Sequence, residues 1–320
     1  MKILITGGAG FIGSHLAEAL VKRGDSVIAL DDLSTGNLEN LNPIKEHQNF
    51  KFVSGSILDE RLVNSLIESV DGVMHFAAAV GVKKILDDPI GSMRTNILGS
   101  EIVLSKAAKK NIPTILASTS EIYGKNTEVP LTEESDRVLG SPLLSRWTYS
   151  EAKALDESLA RSLHLKNIWN IKIIRLFNTV GPRQSAAYGM VIPRFVEAAL
   201  QNKPLTVYGD GRQQRVFCHI EDAISGILAL WDEKTGSGEV FNLGGFEETS
   251  ILALAERVIK ETNSSSKIEF IPHSKLTPGF DEIDRRVPDS SKLSKLTGWR
   301  ANSDLSKILK DTISEVKSRS

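Results

Sequence analysis

The stretch that most constrains the fold lies at the start of the chain. Lys2 to Thr6 is a short apolar, β-branched run, and Gly7-Gly8-Ala9-Gly10-Phe11-Ile12-Gly13 follows it directly. Ser14 to Arg23 then places Leu16, Leu20 and Val21 on one helical stripe. The order is strand, glycine turn, helix. The turn reads as GxGxxG through Gly8, Gly10 and Gly13, and as GxxGxxG through Gly7, Gly10 and Gly13. Glycines there let the backbone turn tightly and approach a pyrophosphate resting on the helix N-terminus. A glycine pattern alone says little, but here the flanking strand and helix are both present, as the motif requires.

The next segment extends the pattern. Ser26 to Leu30 reads as a second buried strand ending at Asp31-Asp32. Asp31 falls about 20 residues past the glycines, where an acid meets the adenosine ribose hydroxyls. A carboxylate there repels a 2′-phosphate, so NAD is favoured over NADP; a turn residue before Ser34-Thr35-Gly36-Asn37 is the plainer alternative. Strand-like and helical runs then alternate: Phe50 to Val53, Arg61 to Ser69, Gly72 to Phe76, Ile97 to Lys110, Ile112 to Ala117 and Ile171 to Phe177. Such alternation predicts a Rossmann-type doubly wound parallel α/β sheet, with ligands at the strand C-termini. Two strand ends stand out. Ala77-Ala78-Ala79 is small enough for a flat ligand to come close, or for ordinary tight packing. Ser118-Thr119-Ser120-Glu121 offers hydroxyls and a carboxylate at the same rim, or a Ser/Thr-rich turn that bonds its own backbone.

Tyr149 and Lys153 lie four residues apart in a predicted helix. Residues at that spacing share one face, so phenol and ammonium can point into one cleft. A free phenol titrates near ~10 and is a poor base at neutral pH. A nearby cation favours phenolate and draws the group toward the working range. The pair suits proton removal from an alcohol whose carbon gives up hydride. Taken alone, the same spacing is common on solvated helix faces.

Near Thr179 the rhythm breaks. Gly181-Pro182-Arg183-Gln184 opens an irregular segment running to Pro193, and helix is expected from Phe195 to Leu200. Short strands are expected at Leu205–Tyr208 and Val240–Leu243, and late helices at Ile251–Thr262 and Leu305–Val316. The predicted organisation is a Rossmann domain over 1–178, with returns near 216–245, and a smaller mixed C-terminal domain from 179–215 and 246–320. A net charge of -1 recruits neither nucleic acid nor an anionic membrane. Cys218 is the single cysteine, so no internal disulfide forms. The start is not a signal peptide, and no run nears the ~18 apolar residues of a membrane span. These features predict a cytoplasmic protein, and no cluster of metal-ligating residues suggests a bound ion.

Taken together, the chain resembles the extended short-chain dehydrogenase/reductase family in its nucleotide-sugar-modifying branch. The resemblance rests on the glycine turn, Asp31-Asp32, His75-Phe76-Ala77-Ala78, Ser118 to Gly124, Tyr149…Lys153, Arg175 to Arg183, Leu205 to Gly209, Arg215…His219…Asp222 and Arg286…Asp289. It implies tightly held NAD, bound through Gly7, Gly10, Phe11, Ile12, Gly13, Asp31, Asp32, Asn37, Ser56, Ile57, Phe76, Ala77, Ala78, Asn96, Tyr149 and Lys153. It implies that Tyr149 takes the proton of the sugar 4-hydroxyl while C4 gives hydride to NAD. Lys153 would lower the tyrosine pKa and hold the nicotinamide ribose, and Thr119 would bond the 4-oxygen. A nucleotide sugar, expected to be UDP-linked, would contact Thr119, Ser120, Asn178, Val191, Arg215 and Arg286. Arginine forks suit phosphate bidentately.

The branch is read from departures. Related 4,6-dehydratases place Asp-Glu after the threonine, where this chain has Ser120-Glu121. Uronate decarboxylases share Thr-Ser-Glu, yet carry an arginine where Met190 stands in register. Ser56 occupies a position where aspartate is common. A 4-epimerase needs no further acid or base, so 4-epimerisation is the expectation, with Glu121 a spectator or hydroxyl ligand. UDP-glucuronate decarboxylation and 4,6-dehydration are the alternatives, and an NAD-binding sensor without turnover is the rival of another class. The resemblance also implies a homodimer pairing the helices Ile97–Lys110 and Ser150–His164.

Overall fold

The structure is a computed structural model describing residues 1–81, 88–186, 190–272 and 283–319. Its centre is a seven-stranded, wholly parallel sheet in the order β11-β6-β5-β4-β1-β2-β3. The strands are β1 (Lys2–Thr6), β2 (Ser26–Asp31), β3 (Phe50–Ser54), β4 (Gly72–His75), β5 (Thr114–Thr119), β6 (Ile171–Leu176) and β11 (Val240–Leu243). The order reverses beside β1, with β2 on one flank and β4 on the other, and that switch point opens the crevice where such sheets bind ligands. The run Ile3-Leu4-Ile5 is fully buried because helices cover both faces of the sheet.

Each face has its own core. On one side Leu16, Leu20, Ile224, Ile227 and Leu230 pack beneath Ile3 and Ile5, from the helices Phe11–Lys22 and Ile220–Asp232. On the other, Val63, Leu66, Val103, Leu104, Ala107 and Ala160 pack against Leu4, Val73, Leu116 and Ile173, from the helices Glu60–Ile67, Ser100–Lys109 and Thr148–Asn167. Fully burying an aliphatic side chain contributes about 1.5–3 kcal/mol, so these two layers fix the sheet.

The later chain adds three small sheets: β7 (Thr179–Val180) with β10 (Cys218–His219), β8 (Leu205–Tyr208) with β13 (Ile268–Ile271), and β9 (Gln214–Val216) between β12 (Glu248–Ser250) and β14 (Arg285–Arg286). A separate core of Phe195, Val196, Leu205, Val207, Leu254, Val258, Ile308 and Leu309 holds the helices Val191–Leu200, Ile251–Thr262 and Leu305–Arg319 together. This is the smaller mixed domain expected from the break in rhythm.

Several boundaries shift by a few residues from the sequence reading, and two of them change an element. The helix expected from Phe195 begins at Val191, since Pro193 falls in its first turn, where a missing N–H costs little. The helix expected over Ile97–Lys110 divides into a π-helical turn, Thr95–Gly99, and the α-helix Ser100–Lys109. Among the described residues no helix is long and apolar enough to cross a membrane.

Candidate active site

The glycine turn is built for close approach. Gly7 has φ 72°, and a Cβ there would meet the Ala77 backbone nitrogen at 2.8 Å. A Cβ on Gly13 would lie 2.1 Å from the Gly7 carbonyl oxygen, so only glycine lets the helix start against the turn. That helix begins at Gly10 with no side-chain cap and no acidic residue in its first turn, leaving the dipole end at Phe11, Ile12 and Gly13 open to an anion. A dinucleotide pyrophosphate fits this cradle.

Around it, the expected cofactor residues mostly hold backbone. The Asp31 carboxylate accepts from the amides of Ala9 at 3.0 Å and Leu33 at 2.8 Å, and burial raises its carboxyl above the usual range. Asp32 accepts from Ser34 N and, with Ser34, Leu58 and Ala79, lines a cavity of about 390 Å³ next to the turn. Asn37 donates its N–H to Ala9 O and caps the turn Leu38–Leu41. Ser56 Oγ accepts from Leu58 N, and Ile57 is buried against Gly99. Asn96 is buried and grips both Ala79 N and Ala79 O, fixing the segment Phe76-Ala77-Ala78-Ala79 that leaves β4.

The second cluster forms where β5 ends. Thr119 Oγ1 accepts from Glu121 N at 3.2 Å, and Ser150 Oγ donates to Glu121 O at 2.8 Å. The Ser120–Tyr123 turn is thereby pinned to the Thr148–Asn167 helix, and Ser120 is buried in it. Thr119 is bonded to the Tyr149 side chain. With its oxygen already accepting from Glu121 N, the Thr119 hydroxyl is free to donate its proton to the phenol oxygen. The Glu121 carboxylate accepts from Arg286 Nη1 at 2.6 Å. Arg286 is 4 % exposed, and its Nε and Nη2 are buried without a partner. In the sheet register Arg286 stands beside Arg215, so two guanidinium groups issue from neighbouring strands. Arg215 also donates to the Gln214 carbonyl. Asn178 Nδ2 donates to Val216 O, and Val191 opens its helix.

Lys153 has a partner that the sequence reading did not name. Lys153 does share the helix with Tyr149, but its ammonium donates to the Asp156 carboxylate at 2.8 Å, with both side chains buried. Burial is the first cause that raises the Tyr149 phenol, with the charges of Glu121 and Asp156 adding to it and the Thr119 bond opposing. The spacing brings the two groups to one helix, and Asp156 gives the cation a buried counter-ion. The sequence reading gave Asp156 no role; its position three residues after Lys153 was the available signal.

Beneath Thr119 a buried network fixes the strand ends. Arg175 donates to Glu157 through Nε at 2.9 Å and Nη2 at 2.8 Å, and Ser118 Oγ donates to Glu157 at 2.6 Å. Arg175 Nη1 reaches the Tyr123 hydroxyl, which donates to Asn242 on β11. Three adjacent strands are thus tied together at the rim that carries the site.

Comparison with known proteins agrees with this architecture. The family model for GDP-mannose 4,6 dehydratase matches residues 4–312. A UDP-N-acetyl-alpha-D-glucosaminuronate decarboxylase of Bacillus cytotoxicus is 42% identical over 318 residues, covering 98% of this chain and 96% of that one. UDP-glucuronic acid decarboxylase 1 of Arabidopsis thaliana is 33% identical over 322 residues, covering 100% of this chain and 70% of its own. The solved structure of UDP-glucuronic acid 4-epimerase from Bacillus cereus, in complex with UDP-glucuronic acid and NAD, superposes with a TM-score of 0.90 at 31% identity over 100% of both chains. With its glycine cradle, its switch-point sheet and a match along almost its whole length, the chain belongs to the GDP-mannose 4,6 dehydratase family, in the nucleotide-sugar-modifying branch of the extended short-chain dehydrogenases/reductases.

Proposed function

We propose that this protein is an NAD-dependent decarboxylase of UDP-linked uronates, with UDP-N-acetylglucosaminuronate the first substrate to test and UDP-glucuronate the second. The observation that carries this reading is the 42% identity to a decarboxylase across 98% of the chain. It displaces 4-epimerisation as the leading reading, because Thr119-Ser120-Glu121 fits a decarboxylase as well as an epimerase. In this reading residues 1–178, with returns near 216–245, carry the cofactor, and 179–215 with 246–320 carry the nucleotide sugar.

NAD bound along the glycine cradle supplies the acceptor for the hydride that leaves C4. Tyr149 accepts the 4-hydroxyl proton, and Thr119 bonds the same oxygen as it becomes a carbonyl. A 4-keto uronate is a β-keto acid. Its C5–carboxylate bond breaks, carbon dioxide departs, and the electron pair passes through C4 to an enolate oxygen held by Tyr149 and Thr119. Protonation at C5 and return of hydride to C4 give the pentose; without hydride return the product stays a 4-keto sugar. Glu121 keeps Arg286 charge-balanced, so the spare Arg286 donors can orient an anionic group of the substrate. Arg215 and Asn178 join Arg286 on the nucleotide side.

A second reading, 4-epimerisation of a UDP-uronate, is favoured by Met190, which stands where an arginine is expected in decarboxylases. The 4-keto sugar would then turn over before hydride returns. A homodimer is also proposed. Most apolar residues of the helix Ser100–Lys109 are spent on the chain's own core, but Ile90, Met93, Leu98 and Leu155 remain exposed on the neighbouring helices as the surface for a second copy.

Incubation with UDP-uronates and neutral UDP-hexoses, read by mass spectrometry and chromatography, separates the readings. Loss of carbon dioxide supports decarboxylation. Unchanged mass with a new peak assigns epimerisation, and loss of water assigns dehydration. Turnover of none of them, with NAD retained, would point to a sensor.

A further inference from the structure

We propose that Asp156 is a positioning residue, which holds the Lys153 ammonium at the end of a buried hydrogen-bonded chain and offsets its charge at Tyr149 until an oxidised nicotinamide brings a second cation into the cleft. The inference rests on the reading of Tyr149 as the acid–base group.

The chain can be followed atom by atom. Ala77 N donates to Thr6 Oγ1 at 3.2 Å, which leaves the Thr6 hydroxyl proton to go to His75 Nδ1 at 2.6 Å. With Nδ1 accepting, the His75 proton sits on Nε2 and points at Ser100 Oγ, 3.1 Å away. Ser100 in turn bonds the Asp156 carboxylate, which receives Lys153 Nζ at 2.8 Å. Thr6, His75, Ser100, Asp156 and Lys153 are each no more than 2 % exposed. The direction is consistent only with a neutral histidine, and His75 is held at about 3, by burial first and by the Lys153 charge second. Asp156 is therefore locked from three elements: β4 through His75, the Ser100–Lys109 helix through Ser100, and its own helix through Lys153.

The charges around Tyr149 then matter together. Glu121 faces it from the turn after β5, with Arg286 behind Glu121 on β14; Lys153, Asp156 and Glu157 lie on its own helix. Lys153 has three donors and gives at least one to Asp156, so the others remain for a ribose hydroxyl without releasing the full cation to the phenol. Such an arrangement keeps the phenol protonated in the NAD-free protein and poises it once cofactor is bound.

The test is Asp156→Asn in the NAD-loaded enzyme, with Asp156→Glu as the conservative control. Removing the anion should move the acid-side midpoint of kcat/KM down by about one pH unit; the glutamate variant should return it to the wild-type position. A purely structural role would lower activity at every pH with the midpoint unmoved, and that result would overturn the proposal. Asp156→Ser serves the same comparison if the asparagine variant does not fold. NMR of ring-labelled tyrosine in the NAD-free proteins gives a readout without turnover: the Tyr149 phenol should titrate lower in Asp156→Asn than in wild type, and equal midpoints refute the proposal. A wild type inactive on every nucleotide sugar would undo the Tyr149 reading instead and leave that titration to decide on Asp156.

Discussion

Glu157→Gln is the sharpest test of how the site is supported. Glu157 takes two guanidinium bonds from Arg175, at 2.9 and 2.8 Å, and one from Ser118 at 2.6 Å. Both partners of the ion pair are buried. Substituting the amide keeps the shape but leaves Arg175 charged in the interior without a counter-ion, which costs about 3–5 kcal/mol. The exposed pair Arg285–Glu248 is also bidentate, at 2.6 and 2.8 Å, yet solvent screens it and it adds little to stability. Urea unfolding followed by circular dichroism should separate the two. With a slope of ~3 kcal/mol per molar urea, a loss of ~4 kcal/mol lowers the Glu157→Gln midpoint by roughly 1.3 M. Glu248→Gln should shift it by less than about 0.3 M. Equal small shifts for both would refute the argument that burial makes the difference.

Three further outcomes follow from the same geometry. Gly13→Ala should abolish NAD binding and lower stability by about 1–3 kcal/mol, measured by calorimetric titration and melting, because the new Cβ meets backbone that cannot yield. Asp25 is drawn below its ordinary value: burial raises it, but the N-terminal ammonium and Arg23 outweigh burial. Its contribution is therefore present above the unfolded value of ~3.9 and lost as pH falls through the lower folded one, so Asp25→Asn should destabilise at neutral pH and match wild type in strong acid. Cys218 is fully buried and burial pushes its thiol up, so a thiol reagent should label it only when the protein unfolds.

Much of this molecule was legible in its sequence, because the features that specify it are local. The glycine turn between a strand and a helix, and the strand–helix alternation after it, define the parallel sheet without knowledge of distant contacts. Thr119 and Tyr149 were legible because each is placed by an element end or a helical turn. What stayed hidden depends on partners far along the chain. Arg286 meets Glu121 across 165 positions, and His75 meets Ser100 only because β4 and a later helix share a sheet face. The Asp156 counter-ion of Lys153 was nearer at hand, three residues on, but its weight at Tyr149 depends on how deeply these groups are buried. The helix boundary at Pro193 was missed because proline reads as a breaker in sequence, while a first turn tolerates it.

The central claim is that Tyr149 takes the 4-hydroxyl proton as hydride leaves C4. Tyr149→Phe tests it most directly, followed by stopped-flow absorbance of reduced nicotinamide on mixing with a UDP-uronate that wild type turns over. The account predicts that the variant still binds NAD and the UDP-uronate while the transient reduction and all product disappear. Reduction at the wild-type rate in the variant would contradict it.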